Sequence, residues 1–135
     1  MAAIYNISPI LPGHSLVIPK RHVESLFDLT EREMVSFISL GREVAGLLTE
    51  MFKTDAFNMA IQEKEASGQS IPHLHMHVVP RILGDLPRPG DWYQALQGNG
   101  TSDIDTFERF QLTEKQLEEV TSRLKAWAKS KSKEE

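Results

Sequence analysis

Ile71-Pro72-His73-Leu74-His75-Met76-His77-Val78-Val79-Pro80 is the stretch on which this chain's fold and chemistry turn. Its apolar residues and the prolines that bracket it predict a strand. Side chains in a strand alternate between faces, which sends His73, His75 and His77 to one side and Leu74, Met76 and Val78 to the other. The apolar set then faces a core, while three imidazoles stand together on one surface. Rings so placed must be wetted or hydrogen-bonded, and each added proton repels its neighbours.

Three readings of the histidines compete. A solvent-facing strand with chance histidines is the bland one, and the crowding of three of the chain's five histidines into one short stretch counts against it. A zinc site is the second, since imidazole is a common zinc ligand. The outer two of three same-face residues on a straight strand are roughly 13 Å apart, too wide for one ion without a kink. A pair plus a remote ligand stays open. The third is nucleophilic catalysis. A neutral imidazole nitrogen attacks phosphorus well near neutral pH if a hydrogen bond to its other nitrogen fixes the tautomer. Neighbouring histidines can then serve phosphate oxygens or the leaving group. Just before the strand, Gly68-Gln69-Ser70 offers backbone N–H groups, an amide and a hydroxyl to a phosphate.

The rest of the chain reads outward from this stretch. Ala3 to Ile7 and His14 to Ile18 are β-prone and separated by the turn chemistry of Pro9, Pro12 and Gly13. Thr30-Glu31-Arg32-Glu33 is a capping box. It opens a helix whose Met34, Phe37, Ile38, Gly41, Val44, Ala45, Leu48, Met51 and Phe52 recur at helical spacing and should lie on a sheet. Ala56 to Gln62 is another strand. Arg81 to Phe110, rich in Gly, Pro and Asp, is expected to be an extended, mobile loop in which Trp92 and Tyr93 could cover a ligand or the core. A last helix should run from Glu114 to Lys129 behind a second capping box at Thr113. His22, in Lys20-Arg21-His22, is expected at the surface near the helix entry. Strand pairs joined by short turns make the class α+β.

Length and composition agree with one domain. The 135 residues are 40% hydrophobic and 25% charged, an ordinary globular mix. There is no cysteine, which excludes a disulfide scaffold, a cysteine-ligated zinc and a thiol nucleophile. A net charge of −4 argues against broad binding to nucleic acid or anionic membranes. No apolar run is long enough for a membrane span, and Met1-Ala2-Ala3-Ile4-Tyr5 lacks the basic start of a leader. A cytoplasmic protein is expected, with the nucleus as a second location.

In these residues the chain resembles the histidine triad (HIT) superfamily. The triad motif stands as His73-Leu74-His75-Met76-His77-Val78-Val79, preceded by Gly68-Gln69 and followed by Pro80-Arg81. Pro12-Gly13-His14 with Leu16-Val17-Ile18-Pro19 is similar to a second element of that family. The narrower likeness, from Ile4 to Tyr93, is to the Fhit branch of diadenosine triphosphate hydrolases. Gln62 stands where that branch carries glutamine and the Hint branch asparagine.

The resemblance implies an antiparallel sheet of about five strands, with the long helix packed on it and a C-terminal helix. It places a single HIT domain over 1–128, leaving 129–135 as a polar tail. It implies a bis(5'-adenosyl)-triphosphatase-like hydrolase that cleaves diadenosine triphosphate (Ap3A) to AMP and ADP through a nucleotidyl-histidine. In that reading His75 attacks the α-phosphorus. His77 bonds the phosphate and assists the leaving oxygen, while His73 and His14 orient the cluster. Gln69, with Gly68, Ser70 and Ile71, holds phosphate oxygens. Gln62 contacts phosphate or sugar, and Asn6 the ribose. No tightly bound cofactor is implied, Mg or Mn accompanies the polyphosphate, and the protein is a homodimer. Two rivals use the same residues: a Hint-like nucleoside phosphoramidate hydrolase, and a nucleotide-binding signalling module with incidental turnover. Two departures from the family stand out. The family usually carries an N-terminal hairpin that helps wall the base, whereas this sequence opens at the equivalent of the next strand, so either another segment is expected to supply that wall or base affinity is expected to be reduced. In addition, Glu63-Lys64-Glu65-Ala66-Ser67 replaces a stretch commonly Asp-Gly-Pro-Glu-Ala.

Overall fold

The computed structural model describes residues 1–97 and 113–131. Strands β1 (Ala2–Tyr5), β2 (Ser15–Ile18), β3 (Ala56–Ile61) and β4 (Met76–Arg81) form one sheet in the order β1-β2-β4-β3, antiparallel at every pairing. Three α-helices, α1 (Glu31–Met51), α2 (Asp91–Gln97) and α3 (Glu114–Lys131), and two short 3-10 helices, Leu26–Asp28 and Glu65–Ser67, complete the described elements. The class is α+β, as the sequence predicts. Among the described residues the strands number four where the family likeness implied about five, which matches the four β-prone runs of the sequence.

The capping box at the head of α1 is formed. Thr30 Oγ1 accepts the Glu33 N–H at 3.3 Å and a Glu33 carboxylate oxygen accepts the Thr30 N–H at 2.9 Å. The helix lies across the sheet, mainly on β4 and β2. It buries Phe37, Gly41, Val44, Ala45 and Leu48. Leu74, Met76 and Val78 meet this face and are at most 1% exposed. Each such side chain contributes roughly 1.5–3 kcal/mol through its removal from water. A Cβ on Gly41 would fall 2.6 Å from Met76 Sδ, so glycine there lets helix and sheet approach closely. Ile38, expected on this face, is instead 47% exposed, at the flank of the buried stripe.

β4 differs from its sequence reading at both ends. It starts at Met76, because both neighbours run out of partners there: Val17 and Ile61 are the last residues paired toward that end. Ahead of it the backbone curls, with the His73 N–H donating to the Ile71 carbonyl at 2.8 Å. At the other end β4 runs through Pro80, the expected terminator. Pairing with β2 stops at Val78, so Pro80 lies where β4 has only β3 beside it, and proline is tolerated at such an edge.

The segment expected to be one loop from Arg81 to Phe110 begins inside β4 and contains α2. Two turns of helix carry too few apolar repeats to announce themselves. Residues 98–112 lie outside the described residues. α3 runs on to Lys131, past the expected boundary between domain and tail at 128, and 132–135 again lie outside the described residues.

Candidate active site

His77 projects from β4 beside His75, which sits just ahead of the strand, with ring centroids 4.8 Å apart. The two-residue spacing therefore does place this pair together. His73 departs from the row. Its Nε2–H donates to the Pro19 carbonyl at 2.9 Å, and its ring meets that of His22 at 5.2 Å. The expectation of three rings on one strand face is corrected by the late start of β4.

A carbonyl oxygen only accepts, so the short bonds to carbonyls assign ring protons. His75 Nδ1 lies 2.8 Å from the His73 carbonyl and must carry hydrogen. In its neutral form His75 therefore presents Nε2 as a bare lone pair. His73 thus acts on His75 through its backbone, while its ring braces the loop.

His14 fills the fourth place. It follows Gly13, whose φ of 89° lies in the left-handed region, and a Cβ there would fall 2.6 Å from Pro80 Cγ and 2.7 Å from Phe52 Cε2. Only glycine lets the turn press against β4 in this way. His14 is fully buried; its Nδ1 accepts the Ile10 N–H at 3.1 Å, and its Nε2 lies 2.9 Å from His77 Nδ1. In neutral His14 the proton sits on Nε2 and is donated to His77. Neutral His77 then carries its own proton on Nε2. Asn6 Nδ2 stands 3.4 and 3.3 Å from the two His14 ring nitrogens, covering the ring, while its Oδ1 accepts the Ser8 N–H at 2.9 Å.

The three triad histidines, but not His14 behind them, border a cavity of about 320 Å³. Asn6, Gln62, Gly68, Ser70 and Ile71 line it with His73, His75 and His77. Gln62 Nε2 is buried and has no hydrogen-bond partner among the described residues. Ile4, Tyr5, Leu16 and Ile18, from β1 and β2, make an apolar wall. Leu96 of α2 closes another side and is 3% exposed. The sequence reading missed Leu96, and Trp92 and Tyr93 do not line the cavity.

The loop before the triad is braced from within. Gln69 Oε1 accepts the Lys64 N–H at 2.7 Å, and Gln69 Nε2 donates to the carbonyls of Glu24 and Ile71 at 3.2 and 3.1 Å. The Gly68 N–H donates to the Glu65 carbonyl at 2.9 Å. The Gln69 amide, expected on phosphate oxygens, is thus engaged in shaping the loop, and Gln69 borders a neighbouring groove instead. Ser70 and Ile71 remain on the cavity rim.

A second unforeseen feature fixes the segment after β4. Arg81 bonds both carboxylate oxygens of Asp85 at 2.8 Å, and also the Asn58 side chain at 2.7 Å and the Pro89 carbonyl at 3.0 Å. The guanidinium beside it holds the Asp85 carboxyl below the usual carboxylate range. This bidentate pair ties the approach to α2, and so Leu96, to the sheet.

Comparison with known proteins agrees with this geometry. The HIT domain family matches residues 1–82. A relative named bis(5'-nucleosyl)-tetraphosphatase [asymmetrical], from Schizosaccharomyces pombe, is 40% identical over 73% of this chain and 54% of its own length. One named bis(5'-adenosyl)-triphosphatase, from Dictyostelium discoideum, is 34% identical over 70% of this chain and 64% of its own. The solved Plasmodium falciparum diadenosine triphosphate hydrolase, in complex with Cyclomarin A, superposes with a TM-score of 0.60 at 26% identity, covering 70% of this chain and 67% of that one. The chain spans somewhat more than half the length of those two curated relatives. The antiparallel sheet, the clustered histidines and the family match over residues 1–82 lead to one conclusion: this chain belongs to the HIT domain family.

Proposed function

We propose that the protein hydrolyses dinucleoside polyphosphates such as Ap3A, releasing AMP and ADP through a covalent nucleotidyl-histidine. The observation that carries this is the tautomer of His75: its Nδ1–H is held by the His73 carbonyl at 2.8 Å, leaving Nε2 as a nucleophile at the cavity. His75 Nε2 would attack the α-phosphorus, and the bond to the bridging oxygen would break as ADP departs with the electron pair. His77, proton-bearing on Nε2 because His14 donates to its Nδ1, would bond the leaving oxygen. Water would then attack phosphorus, the P–N bond would break, and AMP would leave.

The remaining groups support binding. Gln62 Nε2 would donate to the phosphate or ribose, Ser70 would serve a phosphate oxygen from the rim, and Gly68 and Ile71 would shape the passage beside it. Asn6 would hold His14 and meet the ribose. Gln69 would act by bracing the loop. The wall of Ile4, Leu16, Ile18 and Leu96 suits a base. Mg or Mn would arrive with the polyphosphate as part of the substrate; among the described residues no three His, Cys, Asp or Glu side chains converge on a metal position. A homodimer belongs to the same proposal. A cytoplasmic or nuclear location belongs to it as well, and the cysteine-free chain is compatible with such a reducing compartment; no helix among the described residues is long and apolar enough to cross a membrane.

Incubation with Ap3A and Mg, with products separated, should give AMP and ADP in equal amounts. His75→Asn should bind nucleotide without turnover. Rapid cleavage of an adenosine phosphoramidate with none of Ap3A would transfer the reading to the Hint-like reaction, and normal turnover by His75→Asn would overturn the nucleophile.

A further inference from the structure

The fifth histidine of the chain lies outside the cavity, yet its bond leads to the nucleophile. We propose that His22 is a positioning residue that sets the tautomer and aim of His75 through the Pro72–His73 peptide. The inference rests on His75 being the nucleophile.

Two segments distant in sequence are clasped here. His22 Nε2 lies 2.8 Å from the Pro72 carbonyl, and His73 Nε2 lies 2.9 Å from the Pro19 carbonyl. Each ring must be the donor, since the partner is a carbonyl. The two rings meet edge to face, 5.2 Å apart at 67°. Between these crossed bonds the Leu74 N–H donates to the Val23 carbonyl at 2.7 Å.

Two consecutive peptides are held as a result. In the Pro72–His73 peptide, His22 takes the carbonyl and the Ile71 carbonyl takes the N–H at 2.8 Å. In the His73–Leu74 peptide, the Val23 carbonyl takes the N–H, and the carbonyl receives the Nδ1–H of His75. That last carbonyl determines which nitrogen of His75 is bare. The two peptides meet at the Cα of His73, so releasing the first loosens one of the two ends by which the second is oriented, the other being the Leu74 bond to the Val23 carbonyl. β4 begins only at Met76, so no sheet pairing restrains this stretch. His22 supplies restraint that the sheet does not, from an exposed position that sequence alone marks as ordinary surface.

The test compares His22→Ala and His22→Gln with the parent protein. Glutamine retains an N–H able to reach the Pro72 carbonyl; alanine does not. In His22→Ala, kcat on Ap3A should fall by about 10- to 100-fold with KM little changed, the upper figure being the loss for a reacting group misplaced by about 1 Å. The ¹⁵N ring signals of His75 should move from the Nδ1–H tautomer toward a mixture, and His22→Gln should restore most of both. An unchanged His75 tautomer in His22→Ala overturns the proposal. The spectroscopic readout needs no turnover, so a parent protein inactive on Ap3A would sink the hydrolase reading while the tautomer still decides the role of His22.

Discussion

His14 Nε2 and His77 Nδ1 stand 2.9 Å apart across 63 residues of sequence, and the proton between them belongs to His14 because its other nitrogen already accepts the Ile10 N–H. A backbone amide cannot change its role, so the direction of this bond is set by the main chain. The consequence is carried through two rings to His77 Nε2. A second main-chain group, the His73 carbonyl, gives His75 the complementary assignment.

Removing the first of these relays should be felt in chemistry more than in binding. His14→Ala leaves His77 Nδ1 without its donor and lets either tautomer form. In the proposed reaction kcat should drop by about 100-fold, the scale of a misplaced general acid. Steady-state kinetics on Ap3A, paired with nucleotide binding by calorimetry, would check this; a KM increase at constant kcat would contradict it.

The turn that delivers His14 should tolerate nothing larger than glycine at position 13. Gly13→Ala meets both a φ of 89° and contacts of 2.6 and 2.7 Å with Pro80 and Phe52. Left-handed strain and overpacking together should cost about 3 kcal/mol. Urea unfolding would measure it, and activity should fall in parallel as His14 shifts.

Lys64 should behave in the opposite way. Its φ of 69° and ψ of 172° fall in a region nearly exclusive to glycine. Its carbonyl accepts the N–H groups of Ser67 and Gln69 at 3.2 and 3.1 Å, which holds the strained conformation in place. Lys64→Gly should raise stability by about 1 kcal/mol as strain is relieved. A lowered melting temperature in that variant would show that the backbone there is relaxed.

The capping box of α1 should give a defined acid response. The Arg21 guanidinium, bonded to Glu33 at 2.8 and 3.1 Å, and then the Thr30 N–H hold the Glu33 carboxyl down from its ordinary 4.5 to about 2. A depressed native pKa contributes stability that is fully present above pH 4.5 and is lost as pH falls through about 2. The difference in stability between the parent and Glu33→Gln should therefore be constant near neutrality and close across that acid window. Because the pair is at the surface, salt should shrink it. A difference that persists below pH 2 would point to the cap geometry alone.

Local chemistry made much of this protein legible in its sequence. Thr30 and Glu33 announce the start of α1, Gly13 between Pro12 and His14 announces a turn, and the alternation Leu74, Met76, Val78 against His75 and His77 announces a strand with one apolar face, although in the fold both faces of β4 are buried. These signals act over a few residues, where backbone geometry imposes its own period. What tertiary structure alone decided depends on partners far along the chain. His73 leaves the row because β2 and β3 stop pairing at Met76. The Gln69 amide is engaged by the carbonyl of Glu24, 45 residues away, and His22 reaches Pro72 across 50. Leu96 reaches the cavity from α2, whose approach starts from the segment that Arg81 and Asp85 pin to the sheet. In each case the partner includes a backbone carbonyl, a pairing limit or a loop path, groups that every residue carries and no side-chain pattern records. Sequence thus determined which histidines come near one another, while the folded main chain, through the His73 carbonyl and the Ile10 N–H, decided which nitrogen of His75 and of neutral His14 bears the hydrogen.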